Sequence, residues 1–248
     1  MQSEKTKFIL SVRRKEVDPT CSHPLYLKFL ESSALSSAQP HYLRNCQTLA
    51  GIINSCDVLE DRKARIVETG GASIIGQFLA AEGFSYRTTS SDLRYSIDVG
   101  DGQADLLLSL EVIEHLKDQT SANMSDIVLF RETGVRQYCA EMARVVRSGG
   151  RVVLTSPNPC SLVALTRLLQ FEPPVIFRPH VREYSRQELC DFMTGFAVEH
   201  YSTNFSFFHL GQAGAAEADR VFKLLGADEK CRGDDHLFVF KKSGGLAA

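Results

Sequence analysis

Two rhythms of apolar residues run along this chain. Short unbroken runs alternate with stripes spaced three and four apart. The runs are Ile66-Val67, Ser85-Tyr-Arg-Thr-Thr89, Asp105-Leu-Leu-Leu-Ser-Leu110, Arg151-Val-Val-Leu-Thr155, Ala197-Val-Glu-His-Tyr201 and Leu237-Phe-Val-Phe240. They read as strands, and the continuous Leu run and the last run, which lack alternation, read as buried on both faces. The helical stripes are Ile75, Phe78 and Leu79; then Val135, Tyr138, Met142, Val145 and Val146; then Leu162, Leu165, Leu168 and Leu169. Another helix opens at Ser185, where Glu188 completes a capping box, and ends by Gly195. An Ala-rich helix is expected within 211–226. Strands alternating with helices predict an α/β fold with a parallel sheet. Residues 93–104 are too short for a full helix and strand, so the sheet is expected to be abbreviated there. Ser148-Gly-Gly150 is expected to end the helix before the Arg151 strand.

Residues 1–60 are helical in pattern, with breaks at Pro19, Pro24 and Pro40. One helix is expected over Pro24–Ala38 and a second from Pro40 through Ile53. They form an N-terminal cap, either a layer on the domain or a lid over a substrate. Residues 61–248 form the main domain, with an insertion near 157–184 at the same edge as the first turn.

That first turn carries the chemistry. Ile66-Val67 ends in Glu68, then Thr69-Gly70-Gly71-Ala72-Ser73 leads into the Ile75 helix. Ligands of such folds lie at the carboxyl ends of parallel strands. A nucleoside triphosphate is rejected, because Gln77-Phe78 stand where a P-loop needs Lys and Ser/Thr. A dinucleotide is disfavoured. Ser73 replaces the glycine that admits a pyrophosphate, and Glu68 sets a negative charge near it. S-adenosylmethionine, cationic and free of phosphate, suits the acid. A βα turn with no ligand is the remaining alternative. Asp92 lies about 20 residues beyond the turn, where an acid commonly binds adenosine ribose hydroxyls.

Two acids and a histidine, Glu111, Glu114 and His115, follow the central strand. Metal ligation is not expected, since neighbours 114 and 115 point apart on a helix. His115 and His180 are the candidate bases, His180 preferred because Pro179 and a capped helix hold its segment. Arg182 and Tyr184 flank His180 and are candidates for binding an acceptor.

Composition narrows the class. Of 248 residues, 44% are hydrophobic and 23% charged, and the formal net charge is −2, so one large α/β domain is expected and a nucleic-acid partner is not. No apolar run reaches membrane-spanning length, and the N-terminus lacks a signal-peptide core. Seven dispersed cysteines without a C-x-x-C pair read as reduced thiols of a cytoplasmic protein, with neither a disulfide frame nor a zinc site.

Four segments, Ile66–Gly76, Asp105–Leu116, Met142–Pro157 and His180–Val198, resemble in order and spacing the class I S-adenosylmethionine-dependent methyltransferases. The nearest likeness is to the small-molecule branch, type 11 or methyltransferase-23. The resemblance covers roughly 64–200, with 236–242 as the last strand. It implies a Rossmann-like, seven-stranded, mostly parallel sheet in order 3-2-1-4-5-7-6, strand 7 antiparallel, with helices on both faces. It implies that Glu68, Gly70, Gly71, Ala72 and Ser73 hold the methionine end of the donor, that Asp92 takes the ribose, and that Leu110 and Glu111 line the site. The expected function is O- or N-methylation of a small molecule such as a sugar, glycolipid precursor or natural product, releasing S-adenosylhomocysteine, by a monomer or homodimer. The glycine motif departs from the family's at Ala72 and Ile74. The alternative is a non-catalytic methyltransferase-like binding or scaffold protein.

Overall fold

The computed structural model describes residues 21–32, 41–120, 132–161, 164, 171, 179–204, 224 and 233–244. The expected helices at 162–169 and 211–226, and most of the 157–184 insertion, lie outside the described residues.

Six strands form one sheet: β1 (Arg65–Thr69), β2 (Ser85–Thr88), β3 (Ala104–Leu110), β4 (Val146–Pro157), β5 (Phe196–Asn204) and β6 (Asp235–Lys242). Their order is β2-β1-β3-β4-β6-β5. β2, β1, β3 and β4 run parallel, and β6 is antiparallel to both β4 and β5. The expected seventh strand, outside β2, is absent among the described residues. In its place Asp92 to Gln103 form successive turns, and Ile97 and Val99 tuck inward. Ile97 and Val99 join the core that contains Val67 and Leu107, and the stretch adds no strand to the sheet.

Alternate side chains of every central strand enter two different cores. Ile66, Leu106, Leu108, Val153, Leu237 and Val239 face one side. There they meet helices α1 (Pro24–Glu31), α2 (Tyr42–Ser55) and α3 (Ile74–Ala81). Val67, Leu107, Val152, Leu154, Phe238 and Phe240 face the other, against α4 (Thr133–Val145) and α5 (Arg186–Phe192). Burial on both faces explains why the Leu run and the last strand lack period-two alternation. The N-terminal helices share their core with the sheet, and Phe29 of α1 meets Phe78 of α3 edge to face at 4.9 Å. Such a pair adds about 0.5–1.5 kcal/mol beyond its buried area.

Helix α1 ends at Glu31, short of the expected Ala38, with Ser32 extended after it, and a second boundary also differs from expectation. Helix α4 ends at Val145, and Ser148-Gly149-Gly150 lies inside β4, where the register to β3 jumps from Val146 to Arg151. Gly149 has φ +72, and a Cβ on Gly150 would stand 3.0 Å from the Arg147 carbonyl oxygen. The glycines therefore make an irregularity in a strand, which in sequence looks like a helix stop. The capping box at Ser185 forms as expected, with Glu188 bonded back to the Ser185 N–H at 2.8 Å.

Candidate active site

The carboxyl ends of β1 and β3 lie side by side, and β6, running the other way, brings its first residues to the same edge. At the end of β1 the chain turns through Gly70 (φ +80) and Gly71 (φ +111), a conformation L side chains rarely adopt. A Cβ on Gly70 would meet Val112 Cγ2 at 2.5 Å, whereas Gly71 has open space around it. Ser73 then caps α3, its Oγ accepting from the Gly76 N–H at 3.0 Å.

Glu68 sits beneath this turn and is fully buried. Its Oε2 accepts from the Tyr86 hydroxyl at 2.5 Å and from the Ser73 N–H at 3.2 Å. Burial raises its pKa, against those two hydrogen bonds. These contacts tie Glu68 to the turn from below. Gly76 permits this packing, since a Cβ there would stand 2.0 Å from Glu68 Oε2 and 2.5 Å from the Tyr86 oxygen. Gly76→Ala is expected to cost about 1–3 kcal/mol of unfolding free energy, as overpacking does. Urea titration checks this, and an unchanged midpoint would refute the close packing.

On the β3 side, Leu110 and Glu111 reach the same edge. Glu111 has φ 57, in the left-handed region, where a non-glycine residue costs roughly 1–3 kcal/mol. Its backbone N–H bonds the Thr155 carbonyl at 3.1 Å. Its Oε2 accepts from Arg44 of α2 at 2.9 Å, and the same guanidinium lies 3.6 Å from Asp235. Among the described residues Glu111 Oε1 is buried with no hydrogen-bond partner. Burial and the Glu111 charge push Asp235 well above the usual carboxylate range, though Arg44 pulls it down. On the other side of β1, Thr89 Oγ1 is likewise buried and unpartnered.

Asp92 lies four residues past β2, at the surface. Arg94 holds its carboxylate, with the shortest contact 2.7 Å, and lowers its pKa.

After β3 the chain enters a 3₁₀ turn, Ile113–His115. The expectation that Glu114 and His115 point apart is corrected here. In this tight turn Glu114 Oε1 lies 3.9 Å from His115 Nε2, and His180 joins them, its ring centroid 4.8 Å from that of His115. The segment carrying His180 is tied to the turn by Val181 and Arg182 N–H groups, both donating to the Glu114 carbonyl. The two candidate bases are therefore neighbours.

Arg182 and Tyr184 have structural partners. Arg182 pairs with Glu132 and Glu188. Tyr184 is buried against Phe192 at 5.5 Å, and its carbonyl accepts from His236. Asn158, directly after β4, donates its side-chain amide to the Gly233 carbonyl at 2.9 Å. Arg44, Ser156 and Asp235 belong to this edge and carry no motif in the sequence.

Sheet order, with parallel strands crossing over through helices on both faces, defines a doubly wound α/β domain. No family model and no curated protein matches the chain. Among solved structures it is similar to an S-adenosylmethionine-dependent methyltransferase from Archaeoglobus fulgidus, at 14% identity and a TM-score of 0.46, over 73% of this chain and 86% of that one. It is also similar to an S-adenosylmethionine-dependent methyltransferase from Mesorhizobium loti, at 12% identity and a TM-score of 0.43, over 83% of this chain and 99% of that one.

Proposed function

We propose that this protein is an S-adenosylmethionine-dependent methyltransferase acting on a small molecule at oxygen or nitrogen. One observation carries the reading. A diglycine turn with positive φ ends β1, and on either side of it stands a buried acceptor oxygen without a partner among the described residues, Thr89 Oγ1 and Glu111 Oε1. Buried polar atoms are nearly always satisfied, so these mark places for a ligand's donors. The donor's ammonium and ribose hydroxyls fit acceptors of this kind, whereas a phosphate does not.

Gly70 and Gly71 give close backbone approach, with Ala72 and Ser73 completing the cradle. Thr89 and Asp92 meet the ribose, Asp92 pre-set by Arg94. Leu110 and Glu111 form the wall on the β3 side. The donor supplies an electrophilic methyl group on a sulfonium leaving group. The chain's task is alignment of acceptor, carbon and sulfur, with His115 and His180 acting on the acceptor.

Calorimetric titration with S-adenosylmethionine tests the reading, and no heat at millimolar donor would end it. Thr89→Val, which keeps the shape and removes the hydroxyl, is expected to weaken donor binding about five- to tenfold, as loss of one hydrogen bond does. Asp92→Ala is expected to weaken it as well. Unchanged affinity in both variants would reject the ribose assignment while leaving the turn in place.

A further inference from the structure

We propose that Glu114, His115 and His180 form a binding site for a divalent first-row transition-metal ion. One ligand atom from each lies within 4.8 Å of the others. A single ion with bonds of about 2.0–2.2 Å would draw them to roughly 3–3.5 Å apart. The three groups would have to close in on the ion, and His115, whose side chain is 40% exposed, gives it a route in.

Hydrogen bonds on the far side of each ring carry the assignment. His115 Nδ1 lies 3.2 Å from the Pro179 carbonyl oxygen, which can only accept. His180 Nδ1 lies 3.2 Å from Glu183 Oε1, which as a carboxylate can only accept. Each Nδ1 is therefore placed to donate, the tautomer in which Nε2 carries the lone pair. A ring that donates to a carbonyl or a carboxylate through one nitrogen and presents the other is the usual arrangement of a metal-bound histidine. Glu114 supplies the independent observation. It is wholly buried, Ser156 takes its Oε2 at 3.3 Å, and Oε1 has no hydrogen-bond partner among the described residues. That oxygen is the one 3.9 Å from His115 Nε2.

Two imidazoles and one carboxylate select zinc, iron(II) or a similar ion over magnesium, which prefers an all-oxygen shell. Three protein ligands leave positions open for a further oxygen. On the methyltransferase reading, on which this part rests, that oxygen is an acceptor hydroxyl. Bound to the ion, it gives up its proton to solvent. Its oxygen then forms the bond to the methyl carbon as the carbon–sulfur bond breaks, with the electron pair leaving on sulfur. Both rings are then ligands, and the ion, rather than an imidazole, makes the hydroxyl acidic.

The test uses the full chain, stripped with chelator and titrated with Zn²⁺ without donor. Metal content is then measured after gel filtration, and Co²⁺ serves as a spectroscopic probe. One Zn²⁺ per chain is expected, with Mg²⁺ binding far more weakly. His115→Gln, His180→Gln and Glu114→Gln should each weaken Zn²⁺ at least tenfold. His115→Gln is decisive should the buried variants fail to fold, because its side chain is the most exposed of the three. No retained ion, unchanged affinity in that variant, or a Co²⁺ spectrum with cysteine-thiolate bands would each overturn the proposal. Donor binding is measured separately, so failure here is distinguishable from failure of the methyltransferase reading.

Discussion

Replacing Arg44 with Ala is expected to lower the unfolding free energy by about 3–5 kcal/mol, the usual cost of leaving a buried charge unpaired. Arg44 is the cation between Glu111 and Asp235, and its side chain is 18% exposed, against 19% and 8% for theirs. Its removal leaves two carboxylates facing each other, with Glu114 close enough to interact with both. The loss should appear as a lower denaturant midpoint with an unchanged slope. The chain has no tryptophan, so far-UV circular dichroism is the natural readout. Adding Glu111→Gln to Arg44→Ala should recover part of the loss. A cost below about 1 kcal/mol, the range of an exposed pair, would show that solvent rather than Arg44 neutralises this edge.

Acid should destabilise the fold through His236, by about 3 kcal/mol between pH 6.5 and pH 4. This ring is 1% exposed. One nitrogen, Nε2, donates to the Tyr184 carbonyl at 3.1 Å, and the other, Nδ1, accepts from the Tyr201 hydroxyl at 3.1 Å. A second proton would evict that hydroxyl hydrogen. Burial, with the Arg186 charge nearby, lowers the pKa from 6.5 to about 4. The unfolded chain therefore takes up a proton below pH 6.5, while the folded chain does so only near pH 4. In that window the unfolded state binds more protons, and stability falls as pH falls, by about 1.4 kcal/mol per unit. Glu68 and Asp235, with raised pKa values, act in the opposite direction. The quantity to measure is thus the difference between wild type and His236→Gln. Parallel stability curves from pH 7 to pH 4 would refute the assignment.

The sheet was largely legible in the sequence because its strands are buried on both faces. Runs such as Leu106–Leu108 have no other stable use in a chain of this composition. Even the shortened stretch at 93–104 could be read from length alone, though the seven-strand order that the resemblance implied could not hold with it. The glycines at 149 and 150 were misread because a strand irregularity and a helix stop ask for the same residue. The site was less legible. Arg44 is one arginine on an amphipathic helix, and nothing local says that it reaches 67 positions along the chain to Glu111. Asp235 stands just ahead of the last apolar run, Leu237–Phe240, with nothing in the sequence to single it out. Glu114 and His115 were separated on helical geometry. Only the tighter turn after Val112, and the backbone bonds that bring in His180, place the three together.

The irregular pairing of β5 has a consequence for how copies of this protein meet. Among the described residues β2 and β5 end the sheet, and each leaves one row of backbone groups unpaired within it. β2 has four residues, too few to template another chain. β5 has nine, and Val198 on it is 43% exposed, which invites edge-to-edge association. Its ladder skips Glu199, since Val198 pairs with Phe240 and His200 with Val239. The extra residue breaks the regular spacing along the free edge, and Arg151 holds its carboxylate at 3.1 Å. An incoming strand finds only two short stretches in register. The bulge at Glu199 is, on this view, a guard against aggregation at the longer open end of the sheet.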